Sequence, residues 1–87
     1  MGNVIMKLKV MPSDVDVDLE SIKERIQDET GKVEIKDFGI QPIAFGLKTL
    51  MVVAVMPDEE GIGDQFIEKI KGIDGVENVE VESLELL

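Results

Sequence analysis

The side chains that most often carry catalysis and metal binding are scarce in this sequence. It contains no cysteine and no histidine, so it lacks a thiolate nucleophile, the commonest catalytic base and the commonest zinc ligand. A serine–lysine pair can also act as nucleophile and base. Nothing in the sequence places Ser13, Ser21 or Ser83 beside a buried lysine. We therefore expect no catalytic centre, and the chain is not predicted to be an enzyme.

Two clusters of carboxylates could bind a cation. Asp14, Asp16 and Asp18 stand at every second position, as at the start of an EF-hand calcium loop. That loop also needs a glycine at position six and a glutamate at position twelve, and neither is present, so helix capping is the better interpretation. Asp58–Glu60 could hold a weak divalent ion, but a solvated acidic turn before a helix is favoured. We expect no metal site and no cofactor.

One loop has a composition that hairpin loops rarely have. Such loops are normally built from Asn, Asp, Gly and Ser, whereas this one is mostly apolar. An apolar loop must either fold back on the sheet or be presented to a partner. Phe45 has only Ala44 and Gly46 as neighbours, which suits an exposed anchor residue. The candidate partner-binding site therefore consists of the loop residues Pro42, Ile43, Ala44, Phe45 and Gly46.

The first half of the chain predicts one strand followed by one helix. Residues 3–11 alternate so that one face is fully apolar and the other is partly charged, which indicates a strand with one covered face. A helix is predicted over residues 18–29, with an apolar stripe at spacings of three and four. Asp18 can cap its N-terminus, with Asp16 as an alternative. Gly31 suits the left-handed residue that ends a helix.

The second half predicts three strands and one helix. Residues 33–41 form a strand in which Gly39 predicts a bulge or a close approach. Residues 47–56 form a strand whose continuous apolar run indicates a central position. A helix follows over residues 62–71, and a last strand over about residues 76–84.

The order β-α-β-β-α-β predicts an α+β ferredoxin-like sandwich in one domain over residues 1–87. Two right-handed split βαβ units give a four-stranded antiparallel sheet in the order 4-1-3-2, with both helices on one face. The other face is then uncovered and carries charged side chains of the first and last strands, namely Lys7, Lys9, Glu80 and Glu82.

The composition excludes several classes of partner. The net charge is −10, which repels nucleic-acid phosphates and anionic membranes. The longest apolar run, residues 50–56, is far too short to span a bilayer. A small domain that folds without cysteine suits a reducing compartment, so we expect a cytoplasmic location.

Other activities of ferredoxin-like domains lack their key residues here. A heavy-metal chaperone needs a cysteine pair, an RNA-recognition module needs aromatic residues on its central strands, and an acylphosphatase needs a phosphate-binding loop with an arginine. The loop after the first strand is acidic instead, and Arg25 lies on a helix. A small-ligand-sensing regulatory module remains the alternative, and a structural subunit of a larger assembly remains a third possibility.

The apolar loop also carries a resemblance to a known family. The run from Gln41 to Leu50 resembles the signature of the elongation factor 1-beta family, particularly its archaeal form. The similarity extends to the opening Met1–Val4, the strand end Lys9–Pro12, the helix entry Val17–Leu19 and the turn Gly72–Val76. The archaeal form is similar in length, since it consists of this domain alone.

The resemblance implies a translation factor of protein biosynthesis with the ferredoxin-like fold. It implies a guanine-nucleotide exchange factor for elongation factor 1-alpha, a GTPase, acting by binding that loosens the magnesium and phosphate contacts of the partner. The family's loop phenylalanine corresponds to Phe45, and Lys48 would help to orient docking. Eukaryotic members also use a lysine near the C-terminus. That position is Leu86 here, so Leu86 and Leu87 are candidates for a C-terminal contact.

Overall fold

The computed structural model describes residues 2–28 and 30–87 and contains the six predicted elements. The bounds in chain order are β1 Asn3–Pro12, α1 Leu19–Asp28, β2 Glu34–Pro42, β3 Lys48–Pro57, α2 Ile62–Lys71 and β4 Val76–Leu86. The strands pair in the order β2-β3-β1-β4, and every pairing is antiparallel. The predicted ferredoxin-like α+β fold and its 4-1-3-2 order are confirmed. Met1 and Glu29, the predicted last residue of the first helix, lie outside the described residues.

The core lies between the helices and one face of the sheet. Alternate residues of the two central strands are fully buried, including Leu8 and Val10 in β1 and Val52 in β3. Ile26 of α1 and Ile70 of α2 are equally buried and belong to the same cluster. The apolar side chains that recur at every second residue of the strands and at every third or fourth residue of the helices therefore pack in one layer.

Asp18 caps α1 as predicted. Its Oδ1 accepts a hydrogen bond from the Glu20 N–H at 3.0 Å, and its Oδ2 accepts one from the Ser21 hydroxyl at 3.1 Å. The capping bond satisfies one of the N–H groups that the first turn leaves without a partner. At the other end, Gly31 has a φ of +54°, which is the left-handed conformation predicted there.

The bulge in β2 is at Lys36, so the prediction of a bulge at Gly39 is wrong. Ile35 pairs with Ala54 and Asp37 with Val53, which leaves Lys36 as the extra residue. Gly39 pairs regularly with Met51, and a Cβ added to the glycine would lie 3.9 Å from the Met51 Cβ, an ordinary contact. An exposed lysine is readily accommodated as the unpaired residue, so no glycine is needed at this bulge.

β4 extends two residues beyond the predicted end and contains two irregularities. The register with β1 shifts at Glu82 and again at Glu77. Lys9 pairs with Glu80, and its Nζ lies 3.6 Å from a Glu82 carboxylate oxygen. Of the predicted charged side chains, Lys9 therefore meets the acidic residues of β4, whereas Lys7 pairs with Ser83.

Candidate partner-binding site

The apolar loop is a tight hairpin tip between β2 and β3. The Ile43 N–H donates to the Leu47 carbonyl at 2.8 Å, and the Leu47 N–H donates to the Ala44 carbonyl at 3.3 Å. Two residues on one side of the hairpin thus bond to one on the other, which is the pattern of a β-bulge. The tip is held by its own backbone and by the paired strands below it.

Phe45 occupies the most unusual backbone position in the described chain. Its φ of 61° and ψ of 31° lie in the left-handed region, and Gly46 follows with a φ of 79°. Positive φ at both central residues is the pattern of a type I′ turn, for which Asn-Gly is the preferred sequence. Phenylalanine at the first central position is strained by about 1–2 kcal/mol.

The tip presents its apolar side chains to solvent. Phe45 is 96 % exposed and Ile43 is 47 % exposed. The Phe45 ring does not stabilise the fold by burial, so the fold-back alternative does not describe its position. The strain and the exposure at Phe45 both run against stability, and such departures concentrate at functional sites.

Lys48 begins β3 directly after the tip, where it pairs with Pro42 and remains exposed. It lines an open groove of about 290 Å³ together with Gly46, Ile40 and residues of the β1–α1 loop. A Cβ placed on Gly46 would lie 4.0 Å from Cγ1 of Val15 in that loop. Sequence reasoning missed Val15, because nothing in the sequence showed that the β1–α1 loop reaches the hairpin tip.

The two C-terminal candidates lie at the other end of the sheet. Leu86 pairs with Val4, and the Leu87 N–H donates to the Asn3 carbonyl at 2.9 Å. β1 has ten residues between these two ends, and at about 3.3 Å per residue they are about 30 Å apart. The structure therefore brings the loop residues and Lys48 together but separates Leu86 and Leu87 from them. The two leucines are 72 % and 70 % exposed.

Two further features of the described residues bear on function. Within residues 2–28 and 30–87, no three acidic side chains are arranged so that they could hold a metal ion. None of the helices in this part of the chain is long and apolar enough to cross a membrane.

The chain is similar to known proteins over almost its whole length. Residues 5–87 match the family described as the EF-1 guanine nucleotide exchange domain. The chain is 60% identical over 88 residues to Elongation factor 1-beta of Archaeoglobus fulgidus, with 100% of both chains covered. It is 42% identical to the protein of that name from Staphylothermus marinus, covering 97% of this chain and 96% of the relative. It is 44% identical to that of Methanothermobacter thermautotrophicus, covering 93% and 92%.

A solved structure supports the fold independently. The C-terminal domain of the MgtC protein from Mycobacterium tuberculosis superposes with a TM-score of 0.71, covering 99% of this chain and 89% of that one. The sequence identity is only 12%, so this likeness concerns the fold alone. The matched residues 5–87 include the exposed phenylalanine tip, and the archaeal relatives are similar over almost the whole chain. The chain belongs to the elongation factor 1-beta family of guanine-nucleotide exchange domains.

Proposed function

We propose that the chain docks on elongation factor 1-alpha through the hairpin tip, with Phe45 as the main anchor. The observation that carries this proposal is the exposure of Phe45, 96 % at a strained backbone position. Because the turn already fixes the backbone at Phe45, the loop loses little backbone freedom when the ring binds. Pro42, Ile43, Ala44 and Gly46 then form the surface around the ring, and Lys48 orients it.

Exchange follows from binding alone. A factor that prefers the nucleotide-free GTPase lowers the affinity of the GTPase for GDP. GDP lowers the affinity of the GTPase for the factor by the same ratio. The preference arises here if docking loosens the magnesium and phosphate contacts of the partner. No bond is made or broken by a residue of this chain, which therefore acts as a binding protein and not as an enzyme. This function assigns the chain to the cytoplasm, where protein synthesis takes place.

The test is the release of fluorescent GDP from the partner GTPase after excess unlabelled nucleotide is added. The wild-type chain is expected to accelerate release. Phe45→Ala is expected to weaken productive binding by about 1–3 kcal/mol, as for a hot-spot residue. The variant should retain the wild-type unfolding free energy, because the Phe45 ring is exposed.

Val81→Ala is the matched control. Val81 is 47 % exposed and lies in β4, away from the tip, so this variant also removes exposed apolar surface. It is expected to accelerate GDP release like the wild type. Equal activity of Phe45→Ala and Val81→Ala would overturn the anchor role, and no acceleration by the wild type would overturn the function.

A further inference from the structure

The groove beside the tip combines an apolar floor with an acidic rim. Val15 and Ile40, which are 55 % and 49 % exposed, are lining residues that we call the floor, and the lining carboxylates Asp14, Asp18 and Glu20 are called the rim. The groove holds about 290 Å³ and adjoins the tip, since Gly46 belongs to both. An exposed apolar surface next to a presented anchor residue extends the same candidate interface.

The β1–α1 loop that forms one wall of the groove is fixed by hydrogen bonds. The Ser13 N–H donates to the Gly75 carbonyl at 2.9 Å, and the Val17 N–H donates to the Asp14 carbonyl at 3.3 Å. The Asp16 N–H also reaches the Asp14 carboxylate at 3.4 Å. The rim is therefore a formed surface on which a partner can dock without first ordering the loop.

The charges of the rim are only partly neutralised within the described chain. Of the rim carboxylates, Glu20 pairs with Lys23 at 3.5 Å, and no other ion pair among residues 2–28 and 30–87 reaches the groove. Lys48 is the single cation among the lining residues, against three carboxylates that include the helix cap Asp18. The groove thus combines a net negative charge with an apolar lining.

We propose that this groove receives a lysine or arginine side chain of the GTPase that Phe45 anchors, an inference that rests on the proposed function. The long aliphatic stem of such a side chain packs on Val15 and Ile40, and its cationic head meets Asp14 and Glu20. A second copy of this chain is disfavoured as occupant, because each copy carries a net charge of −10. An anionic or nucleic-acid partner is disfavoured by the same rim.

The test measures the association rate constant with the GTPase at low and at high salt. Asp14→Asn combined with Glu20→Gln removes two rim charges while keeping the size of both side chains and one acceptor oxygen in each. We expect association about three- to tenfold slower at low salt, with the difference shrinking as salt screens the rim. Val15→Ser should speed dissociation instead, since it removes apolar floor.

The matched control is Asp28→Asn combined with Glu68→Gln. Both residues are exposed, Asp28 at the far end of α1 and Glu68 on α2, and the change in net charge is the same. This control should associate like the wild type. Equal slowing of both double variants, or of neither, would overturn the groove proposal.

Two further outcomes separate this proposal from the proposed function. If the wild type binds, Phe45→Ala binds more weakly, and the rim variant matches its control, only the groove proposal fails. If the wild type does not bind the GTPase, both fail together. Sedimentation that shows a dimer disrupted by the rim substitutions would assign the groove to a second copy and overturn the proposal.

Discussion

At the scale of single residues, Phe45 departs from what stability favours in two ways. Its ring is almost fully exposed, and its backbone has a positive φ that residues other than Gly, Asn and Asp rarely adopt. The following Gly46 takes its own positive φ without strain. A sequence such as Asn-Gly would build the same turn more stably, so the phenylalanine stands there at the expense of the fold.

Phe45→Asn should therefore stabilise the protein while weakening exchange about as much as Phe45→Ala does. Asparagine relieves part of the left-handed strain, and we expect the free energy of unfolding to rise by about 0.5–1 kcal/mol. Denaturant unfolding measures this, and GDP release measures the loss of function. Phe45→Ala is the control, because it removes the ring without introducing a residue that favours the turn. A lower unfolding free energy for Phe45→Asn would mean that the ring contributes to the fold.

At the scale of elements, the sequence predicted those features of secondary structure that depend on contacts between residues close together in the chain. The bounds of α2 and the Asp18 cap follow from apolar spacing and from side chains within one turn. The bulge at Lys36 was not predictable, because it depends on the pairing between β2 and a strand that follows it. The extension of β4 to Leu86 likewise depends on β1 as a template.

The capping of α1 gives a prediction at this scale. Asp18→Ala removes the acceptor for the Glu20 N–H and should lower the free energy of unfolding by about 1 kcal/mol. Asp16→Ala is the matched control. Asp16 offers its own N–H to Asp14 but is not the residue whose carboxylate binds the helix N-terminus, so this variant should unfold like the wild type. Equal destabilisation by both would point to a general effect of lost negative charge at the helix start.

At the scale of the whole molecule, the candidate contacts stand at the two ends of a long body. The principal extents are 42 × 20 × 17 Å, and β1 runs between the end that holds Phe45 and the end that holds Leu87. The tip, Lys48 and the groove could be assembled into one site only from the structure, since residues 14–20 and 40–48 are joined by strand pairing and loop packing. The sequence could identify Phe45 itself, because an apolar hairpin loop is locally anomalous.

The C-terminal leucines provide the prediction for the far end. Leu86→Ser combined with Leu87→Ser should leave unfolding within about 0.5 kcal/mol of the wild type, because both side chains are largely exposed. If the partner also contacts this end, the variant should bind it more weakly by about 1 kcal/mol. A higher concentration of the variant is then needed for the same rate of GDP release. Val81→Ser controls for lost exposed apolar surface. Exchange equal to that of the wild type would remove Leu86 and Leu87 from the site.

The backbone bonds of the hairpin tip have a consequence for proteolysis. A protease that cleaves after aromatic residues binds its substrate as an extended strand, whereas Ala44–Leu47 is closed by a turn bond and flanked by paired strands. The peptide bond after Phe45, the most exposed aromatic residue, is thus a poor substrate until the β2–β3 hairpin opens. Its cleavage rate reports the population of that opened form, so cleavage after Phe45 measures how often the β2–β3 hairpin opens.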